Sequence, residues 1–435
     1  MRQGALKVRI DFTASSLTHF GGVYLLHQFL QHIQFRSFLA RTIRFPQRNN
    51  RYTISEFIVA HLYPMILGLE KIEVSALLKT NGTFQYLTGL PDFPNPTTLR
   101  RFLVRGSTYD LLPQLRAVHD LLRRHFLSLP ETPSSFWFNC DSTVKTLYGH
   151  QEGAEKGYNP GHRGKRSYHP LLITEAHRGD SLAGILRHGN APTADGVEGL
   201  MARAYALLPH HVRLRLRADA GFYDGDLIEF LRKNSISFAI VAHLTKPLKA
   251  KVSALRYRKV SDRFSVAAFH YQPHGWEQPE RFVVLRRKIP EENDEQLTLF
   301  TIDRYAYSAI VTDLELEPHH VFRFYNDRAA LERIIRTLRD DYPFGTAPTN
   351  SFGANAEYAE LSLLAYDLMV WFKRLCLPPD WHSFTLPTIR HRLLMIPGAF
   401  VKSKNIPTLR FPKNCLYQDV FHSAQQQIKK LDPLI

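Results

Sequence analysis

The chain has 435 residues, of which 44% are hydrophobic and 12% aromatic, so it carries enough apolar side chains for sizeable cores and is not a disordered polymer. This length corresponds to roughly two to three domains. The formal net charge of +16 indicates an acidic partner, most simply a nucleic acid, although membranes and acidic proteins attract basic chains as well.

Residues 1–130 have the pattern of a mainly helical region. In TISEFIVAHLYPMILGLEKI the apolar residues recur at helical spacing,. Further on, LPDFPNPTTLRRFLVRG places a proline-rich turn before a short basic helix, which Asn95 or Thr97 would cap,. Arg100 and Arg101 would lie at its start, as in the reading helix of a helix-turn-helix protein. An ordinary capped helix with solvated arginines explains the same pattern.

Residues 131–245 change to alternating strands and helices. Three strands are predicted in SSFWFNCDSTVKTLYG, SYHPLLITEAH and SLAGILRHG, which are rich in aromatic and β-branched residues,. The helical pattern of ADGVEGLMARAYALLP follows, then strand VRLRLRADAGF, helix DGDLIEFLRKN and strand SISFAIVAHL,. Three strands followed by alternating helix and strand predict an α/β fold with a mixed sheet.

Residues 246–317 interrupt this alternation. KVSALRYRKV, RFSVAAFHY, RFVVLRRK and YAYSAIVTD all indicate strands separated by turn residues,. Residues 318–341 then return to a single predicted helix, and ANAEYAELSLLAYDLMVWFKRLC predicts another. We therefore expect a second part of the α/β core over residues 318–380, followed by a basic C-terminal region over residues 381–435.

Three acidic residues carry the strongest chemical signal. Asp141 lies in the first predicted strand of the core and Asp219 ends the fourth, where an acid among apolar strand residues is unusual unless it is paired or binds metal,. Glu332 lies in the predicted helix of residues 318–341. Two strand aspartates and a helical glutamate that converge at one sheet edge would form a hard-oxygen site for two Mg²⁺ or Mn²⁺ ions. Such a site activates a water or a hydroxyl group toward phosphorus.

The segment YNDRAALERIIRTLRDD surrounds Glu332 with arginines. Tyr325, Arg328, Glu332 and Arg339 follow one another at intervals of 3, 4 and 7 residues, which places them on one helical face. The simpler interpretation is an exposed ion pair between Arg328 and Glu332, since their separation of four residues is that of helical neighbours.

Three segments together resemble a known family. DSTVKTLYGHQEGAEKGYNPGHRGKRSYHPLL, RADAGF and YNDRAALERIIRTLR are similar, in this order, to the acid-bearing motifs of DDE transposases of bacterial insertion sequences. The resemblance is to the IS4-like group, most closely to its IS1380 branch, and covers about residues 134–375. The third segment follows the group's Y-x₂-R-x₃-E-x₆-K signature, except that Arg339 replaces the lysine. This exchange keeps the charge but changes a point charge into a planar fork.

The resemblance implies a fold, a site and partners. The catalytic core would be ribonuclease H-like, and residues 246–317 would be the β-rich insertion that this group carries before the glutamate helix. Asp141, Asp219 and Glu332 would be the catalytic, Mg²⁺- or Mn²⁺-binding residues. Tyr325, Arg328 and Arg339 would bind phosphates at the transposon end. The partners would be the terminal inverted repeats and the target DNA, bound by a protein that is at least a homodimer, with a DNA hairpin as intermediate.

Other residues suggest further contacts with DNA. The loop GYNPGHRGKRSYH contains His162, Arg163, Lys165, Arg166 and His169, and its basic residues would touch the DNA backbone; a solvated hairpin loop is the alternative. Trp276 would either stack on an unpaired base or belong to a core. A zinc hydrolase is a further alternative, but the spacing of the histidines matches no known zinc motif: His150, His162, His169, His177 and His188.

The remaining signals concern the cellular context and competing functions. Cys140, Cys376 and Cys415 are far apart, which excludes a cysteine zinc knuckle or a disulfide framework and fits a reducing cytosol. No signal peptide and no run of about 18 apolar residues is found, so we expect a soluble, cytoplasmic, nucleoid-associated bacterial protein. A catalytically silent DNA-binding repressor and a structure-specific nuclease of the same fold remain as alternatives to a transposase.

Overall fold

The computed structural model describes residues 10–47, 51–209, 212–289, 301–302, 305–327, 329–402 and 407–434. Its helices are α1 (Val23–His32), α2 (Phe35–Thr42), α3 (Ile54–Ile66), α4 (Ala76–Lys79), α5 (Gly82–Thr88), α6 (Pro96–Thr108), α7 (Leu111–Leu127), α8 (Val197–Tyr205), α9 (Gly225–Lys233), α10 (Lys246–Ser253), α11 (Pro318–Asn326), α12 (Ala329–Asp340), α13 (Phe352–Cys376), α14 (Leu386–Ile389) and α15 (Gln418–Ile428). Within the described residues, none of these helices is long and apolar enough to span a membrane.

The strands are β1 (Leu17–Thr18), β2 (Ser135–Ser142), β3 (Lys145–Thr146), β4 (Glu155–Lys156), β5 (Arg166–Tyr168), β6 (Leu171–Glu175), β7 (Ser181–Ile185), β8 (Arg213–Ala218), β9 (Ile236–Val241), β10 (Arg258–Lys259), β11 (Phe264–Tyr271), β12 (Glu280–Lys288), β13 (Thr301–Ile302), β14 (Tyr305–Thr312), β15 (Gly398–Lys402) and β16 (Pro407–Arg410). The chain forms two compact units, one of Met1–Phe102 with Trp371–Ile435 and one of Leu103–Val370. The five regions expected from the sequence are a finer division and stay a prediction.

The first unit is helical apart from a small sheet. It contains α1 to α5, α14 and α15, and its sheet has the order β1-β15-β16. Helix α3 begins with a capping box in which the Thr53 hydroxyl accepts from the Glu56 backbone N–H and the Glu56 carboxylate accepts from that of Thr53,. Aromatic rings fill the interior, with Phe84 set edge-on to both Phe20 and Tyr63,.

The second unit is built on a ten-stranded mixed sheet with the order β10-β11-β12-β14-β9-β8-β2-β6-β7, and β13 pairs with β14. Strand β8 runs parallel to both β2 and β9, whereas the other pairs are antiparallel. The β-rich stretch after residue 246 therefore extends the same sheet, because β14 pairs with β9. A separate three-stranded sheet, β3-β5-β4, follows β2.

Alternation along the strands gives the sheet two different faces. The apolar face carries Phe136, Phe138 and Cys140 of β2 with Leu214, Leu216 and Ala218 of β8, and these side chains form one buried core with α8, α9 and α10. The polar face carries the residues between them: Trp137, Asn139 and Asp141 on β2, and Arg215, Arg217 and Asp219 along β8 and just beyond it. Helix α11 packs on the polar face, since its Val321, Phe322 and Phe324 cluster with Ala239, Val283 and Ile310.

Most of the predicted α/β elements are confirmed, including β2, β6, β7, α8, β8, α9 and β9. The prediction of a strand in KVSALRYRKV is wrong in its first part, which forms α10. Pro247 lies in the first turn of this helix, where its missing N–H is harmless,. Leu248 and Val252, four residues apart, are both buried, so helical packing outweighs the weak strand propensity of a lysine-rich segment.

The prediction of one continuous helix over residues 318–341 is also wrong. Helix α11 ends at Asn326 and α12 begins at Ala329. Asn326 and Asp327 are poor helix residues because their side chains compete for backbone hydrogen bonds. The backbone N–H of Asp327 caps α11 by donating to the carbonyl oxygens of Arg323 and Tyr325. Tyr325 and Glu332 therefore lie on different helices and share no single helical face.

Candidate active site

Asp141 and Asp219 lie side by side at the carboxyl ends of two neighbouring parallel strands. The register pairs Cys140 of β2 with Ala218, the last residue of β8, and each aspartate is the next residue along the chain. Parallel strands lie about 4.8 Å apart, and alternation places both carboxylates on the polar face. Both side chains are half-buried. The two acids singled out in separate sequence segments are thus brought together by strand pairing.

Backbone N–H groups orient both carboxylates. Asp141 Oδ1 accepts from the backbone N–H of Ser142 at 2.7 Å, and Asp219 Oδ1 accepts from that of Gly221 at 2.9 Å. A Cβ atom at Gly221 would lie 2.6 Å from Thr193 Cγ2 and 3.0 Å from Asp219 Oδ1. Only glycine allows the chain to pass this close to the Asp219 carboxylate.

A buried histidine and a buried arginine support the same edge of the sheet. His169 Nδ1 lies 2.9 Å from the Ala191 carbonyl oxygen and its Nε2 lies 3.1 Å from Ser142 Oγ. The carbonyl can only accept, so Nδ1 carries the proton and Nε2 accepts from Ser142. Burial lowers the pKa of His169, which favours this neutral form. The Arg187 guanidinium donates to the carbonyl oxygens of His169 and Thr193.

The sequence analysis missed a second pair on the polar face. Arg217 Nε donates to Asn139 Oδ1 at 3.0 Å, and its Nη1 donates to the Phe324 carbonyl oxygen at 2.9 Å. Both side chains are almost fully buried. The alternation of RLRLRADAGF already places Arg217 on the same face as Asp219, and this signal could have identified it. The partner Asn139 follows only from the pairing of β2 with β8.

Glu332 lies in the first turn of α12, and its side chain is exposed. The other end of α12 is held by Lys145, whose Nζ donates to the Arg339 carbonyl oxygen at 3.3 Å. Leu338 is fully buried and anchors the same end. Among the described residues, no group of three His, Cys, Asp or Glu side chains is arranged to hold a metal ion. The structure therefore pairs the two aspartates but does not draw Glu332 into a closed three-acid cluster.

The expected phosphate-binding residues around Glu332 have different environments. Tyr325 is half-buried and packs against the core beneath α11. Arg328 lies outside the described residues. Arg339 is exposed and forms a two-pronged ion pair with Asp340, with its Nε 2.7 Å from Oδ1 and its Nη2 3.1 Å from Oδ2. The Arg339 hydrogen bond lowers the pKa of the Asp340 carboxyl, so both groups are charged at pH 7.

The basic loop joins β4 to β5 as a hairpin, since Lys156 pairs with Arg166. Lys165 and Arg166 are exposed. The loop has an internal anchor, because the buried Asn159 donates to Thr146 Oγ1 at 3.0 Å and accepts from the backbone N–H of His162 at 3.1 Å. The prediction that His169 belongs to this exposed loop is wrong, since it is buried after β5.

Residues predicted to bind DNA in the first unit lie on α6. The guanidinium of Arg100 forms an ion pair with Glu73, whereas Arg101 is exposed. Both arginines lie one turn into the helix, which begins at Pro96 directly after Asn95. Leu99 and Phe102 are buried on the other side of α6. Arg101 therefore has the more accessible guanidinium of the two.

Trp276 contributes to packing in the second unit. Its ring lies 5.1 Å from that of Tyr223, and a Cβ atom at Gly225 would lie 3.0 Å from the indole. The side chain is half-buried against the core of the apolar face. These contacts account for Trp276 as a packing residue.

The donors at the sheet edge fit a hard divalent cation. Asp141 and Asp219 offer carboxylate oxygens, the ligands that Mg²⁺ and Mn²⁺ prefer. Both carboxylates are half-exposed and preoriented by backbone N–H groups, so a cation could reach them. Of the three predicted acids, Asp141 and Asp219 share a position on paired strands, whereas Glu332 lies exposed in the first turn of α12.

Comparison with known proteins shows the family to which the chain belongs. No curated protein sequence matches it. A solved structure, the piggyBac transposase synaptic complex with hairpin DNA determined by cryo-electron microscopy, is similar at 9% identity and a TM-score of 0.46, covering 87% of this chain and 80% of that one. The family model described as transposase DDE domain group 1 matches residues 2–433. Nearly the whole chain is covered by that model, and the protein belongs to this family of DDE transposases.

Proposed function

We propose that this transposase cuts the terminal inverted repeats of its own element and joins the resulting 3′-hydroxyl groups to target DNA. Asp141, Asp219 and Glu332 are its catalytic residues in this proposal, and Mg²⁺ or Mn²⁺ is its cofactor. The single observation that carries the proposal is the pairing of Asp141 and Asp219 at the carboxyl ends of β2 and β8. Family membership supplies the reaction class.

The chain's own residues would orient the reacting groups. Asp141 and Asp219 hold their carboxylates in fixed directions through the N–H groups of Ser142 and Gly221. A divalent cation bound by these carboxylates and Glu332 supplies stabilisation of the negative charge at a reacting phosphate. Positioning and charge stabilisation are the main contributions that a protein makes to phosphoryl transfer.

End cleavage and joining are each a displacement at phosphorus, and closing and opening the proposed hairpin between them are further displacements of the same kind. A water oxygen bonds to phosphorus while the P–O3′ bond at the transposon end breaks; the water loses its proton to solvent, and the leaving O3′ takes up a proton to become a hydroxyl. In the joining step the 3′-hydroxyl oxygen bonds to a target phosphorus and loses its proton to solvent, while the target P–O3′ bond breaks and its oxygen takes up a proton. No covalent bond to the protein forms in any of these displacements.

Basic side chains would hold the DNA during these steps. The net charge of +16 favours phosphate binding in general. We propose that the transposon end is bound by Tyr325, Arg328 and Arg339, which flank Glu332 in the sequence. The DNA backbone would be bound by the exposed Lys165 and Arg166. Arg100 and Arg101 on α6 are proposed to read the terminal repeats, and the Arg100–Glu73 ion pair would have to open for Arg100 to take part.

We also propose a transposase group, a fold for the core and an oligomeric state. The motifs support the IS4-like group and its IS1380 branch. The order β7-β6-β2-β8-β9, with β6 antiparallel to its neighbours, supports a ribonuclease H-like core. Two transposon ends must be brought together, so we propose a homodimer on DNA and a hairpin intermediate.

A strand-transfer assay tests the proposal. The purified protein is incubated with DNA of the element's end, a supercoiled target plasmid and Mg²⁺, and the products are separated on a gel. Joined products are expected. Cleavage without joining would indicate a nuclease instead, and a DNA mobility shift without cleavage would indicate a repressor.

A further inference from the structure

Arg217 is an arginine buried in a β-sheet beside the proposed catalytic residues. Its side chain is only 2% exposed. The guanidinium carbon lies 5.1 Å from the centre of the Trp137 ring and 5.3 Å from that of Phe324. Burial of a charged side chain is unfavourable unless its hydrogen bonds are satisfied. We therefore expect Arg217 to have a role that an apolar side chain at this position could not fill.

The hydrogen bonds of Arg217 connect the three segments that carry the acids. Asn139, which accepts from Nε, lies two residues before Asp141 on β2. Arg217 itself lies two residues before Asp219. Phe324, whose carbonyl accepts from Nη1, belongs to the last turn of α11, immediately before the junction that leads into α12 and Glu332.

The contact with Phe324 fixes a helix end. The last carbonyl groups of a helix have no partner within it, and Arg217 supplies one for Phe324. Because α12 begins three residues after α11 ends, the position at which α11 ends determines where α12 can start. The planar guanidinium holds two acceptors at a fixed angle, which a lysine ammonium does not do.

We propose that Arg217 is a positioning residue that fixes the end of α11 on the strands that carry Asp141 and Asp219, and so sets where α12, which carries Glu332, begins. This inference rests on the proposed function of the three acids. The Cα atom of Arg217 also lies two residues, roughly 7 Å, before that of Asp219 along the chain, so its positive charge lies on the same face as the two carboxylates. This charge offsets the repulsion that two neighbouring carboxylates exert on each other.

The test compares Arg217→Lys with Arg215→Lys. Arg215 lies on the same strand and the same face as Arg217, and its guanidinium carbon also lies 5.4 Å from the centre of the Trp137 ring. It is two residues farther from Asp219 than Arg217 is. For Arg217→Lys we expect faster hydrogen–deuterium exchange in α12 of the metal-free protein, while exchange in β2 and β8 stays as in the parent. We also expect the Mg²⁺ concentration for half-maximal end cleavage to rise about tenfold, as for loss of a residue that orients metal ligands. DNA binding should not change.

The control Arg215→Lys should match the parent in all these measurements. If Arg217→Lys exchanges in α12 and responds to Mg²⁺ like the parent, the positioning role is overturned. If Arg217→Lys does not fold, Asn139→Ala replaces it, since this variant removes the Nε acceptor and keeps the guanidinium. It should show the same changes at a smaller size, and its identity with the parent would overturn the proposal.

Failure of the proposed function has a different signature. In that case either the parent would not cleave the end DNA at all, or Asp219→Asn would cleave it as the parent does, whatever Arg217→Lys does. An inactive Asp219→Asn together with an unaffected Arg217→Lys would reject only the role of Arg217. The exchange measurement needs neither metal nor DNA, so it reports on the Arg217 contacts alone.

Discussion

The two faces of the large sheet differ in the burial and polarity of their side chains. On the apolar face, Phe138 and Leu216 are fully buried in one continuous hydrophobic core. On the polar face, the same strands present Asn139, Arg217 and two half-exposed aspartates between α11 and α13. Helix α13 reaches this face at Gly184 of β7, where Leu363 packs closely. In our proposal one strand pair therefore supplies stability on one side and chemistry on the other, and the two properties should respond to different substitutions.

The largest expected effect concerns the aspartates. Replacing Asp141 or Asp219 with Asn should reduce Mg²⁺-dependent end cleavage below detection, because an amide is a poor substitute for a metal-binding carboxylate. The melting temperature should change little or rise, since one of two neighbouring negative charges is removed. Cleavage of labelled end DNA and thermal unfolding measure the two effects separately. An active Asp219→Asn variant would contradict the separation of the faces.

A substitution on the opposite face should do the reverse. Phe138→Ala removes a fully buried ring from the apolar face and should lower the free energy of unfolding by about 3–5 kcal/mol. The fraction that remains folded should still cleave end DNA, because Phe138 points away from Asp141. Denaturant unfolding gives the stability, and cleavage at low temperature gives the activity. A stable but inactive variant would show that the faces are not independent.

Gly221→Ala tests how tightly the Asp219 carboxylate is held. The added Cβ would meet Thr193 and Asp219 Oδ1, so we expect cleavage to slow by roughly tenfold to a hundredfold, as for a displacement of about 1 Å in an active site. The matched control is Gly199→Ala on α8, where an added Cβ meets nothing within 4 Å. Equal rates for the two variants would show that the close approach at Gly221 is not needed.

The smallest effect concerns a buried acid of α13 in the same unit. Glu357 is fully buried, and in the described part of the chain its carboxyl oxygens have no hydrogen-bond partner. Burial raises its pKa to about 9, so the folded protein holds this carboxyl neutral. Its stabilising contribution is therefore lost as the pH rises from the unfolded value of 4.5 toward 9. Glu357→Gln should be nearly as stable as the parent at pH 5 and more stable than it at pH 8.5, because the unfolded carboxyl is then ionised while the folded one must stay protonated.

Glu360→Gln, one turn away, is the contrasting control. Burial alone would raise the pKa of Glu360, but a hydrogen bond from His119 and the charge of Arg203 outweigh it and lower the pKa. The contacts with His119 and Arg203 thus stabilise the charged carboxylate of Glu360 in the folded protein. Glu360→Gln should therefore destabilise the protein at neutral pH. Thermal unfolding at pH 5, 7 and 8.5 compares both variants. A parallel response of the two would contradict the assigned charge states.

The sequence predicts the core elements well and their neighbours poorly. Alternation and β-branched residues identify β2, β8 and β9, because these strands are long and their composition is distinctive. Residues 246–253 are short and lysine-rich, so propensity does not distinguish helix from strand, and burial of Leu248 and Val252 decides. The break after Asn326 also escapes the periodic pattern, because only Asn326 and Asp327 interrupt a helical pattern that continues on both sides,.

The site is predictable to the same extent. Asp141 and Asp219 are recognisable as unusual strand acids, and the order of the motifs indicates their shared role. That they are neighbours follows from the parallel pairing of β2 with β8, which a single sequence does not reveal. The support from His169, Arg187 and Arg217 depends on contacts between segments distant in sequence.

The central claim is that Asp141, Asp219 and Glu332 hold one metal site, and iron-mediated cleavage of the protein backbone tests it most directly. Fe²⁺ replaces Mg²⁺ in the protein bound to end DNA, and ascorbate with peroxide generates radicals that cut the chain near the ion. The account predicts cuts close to residues 141, 219 and 332, all lost in Asp219→Asn. Cuts that avoid these three segments, or that persist in Asp219→Asn, would contradict it.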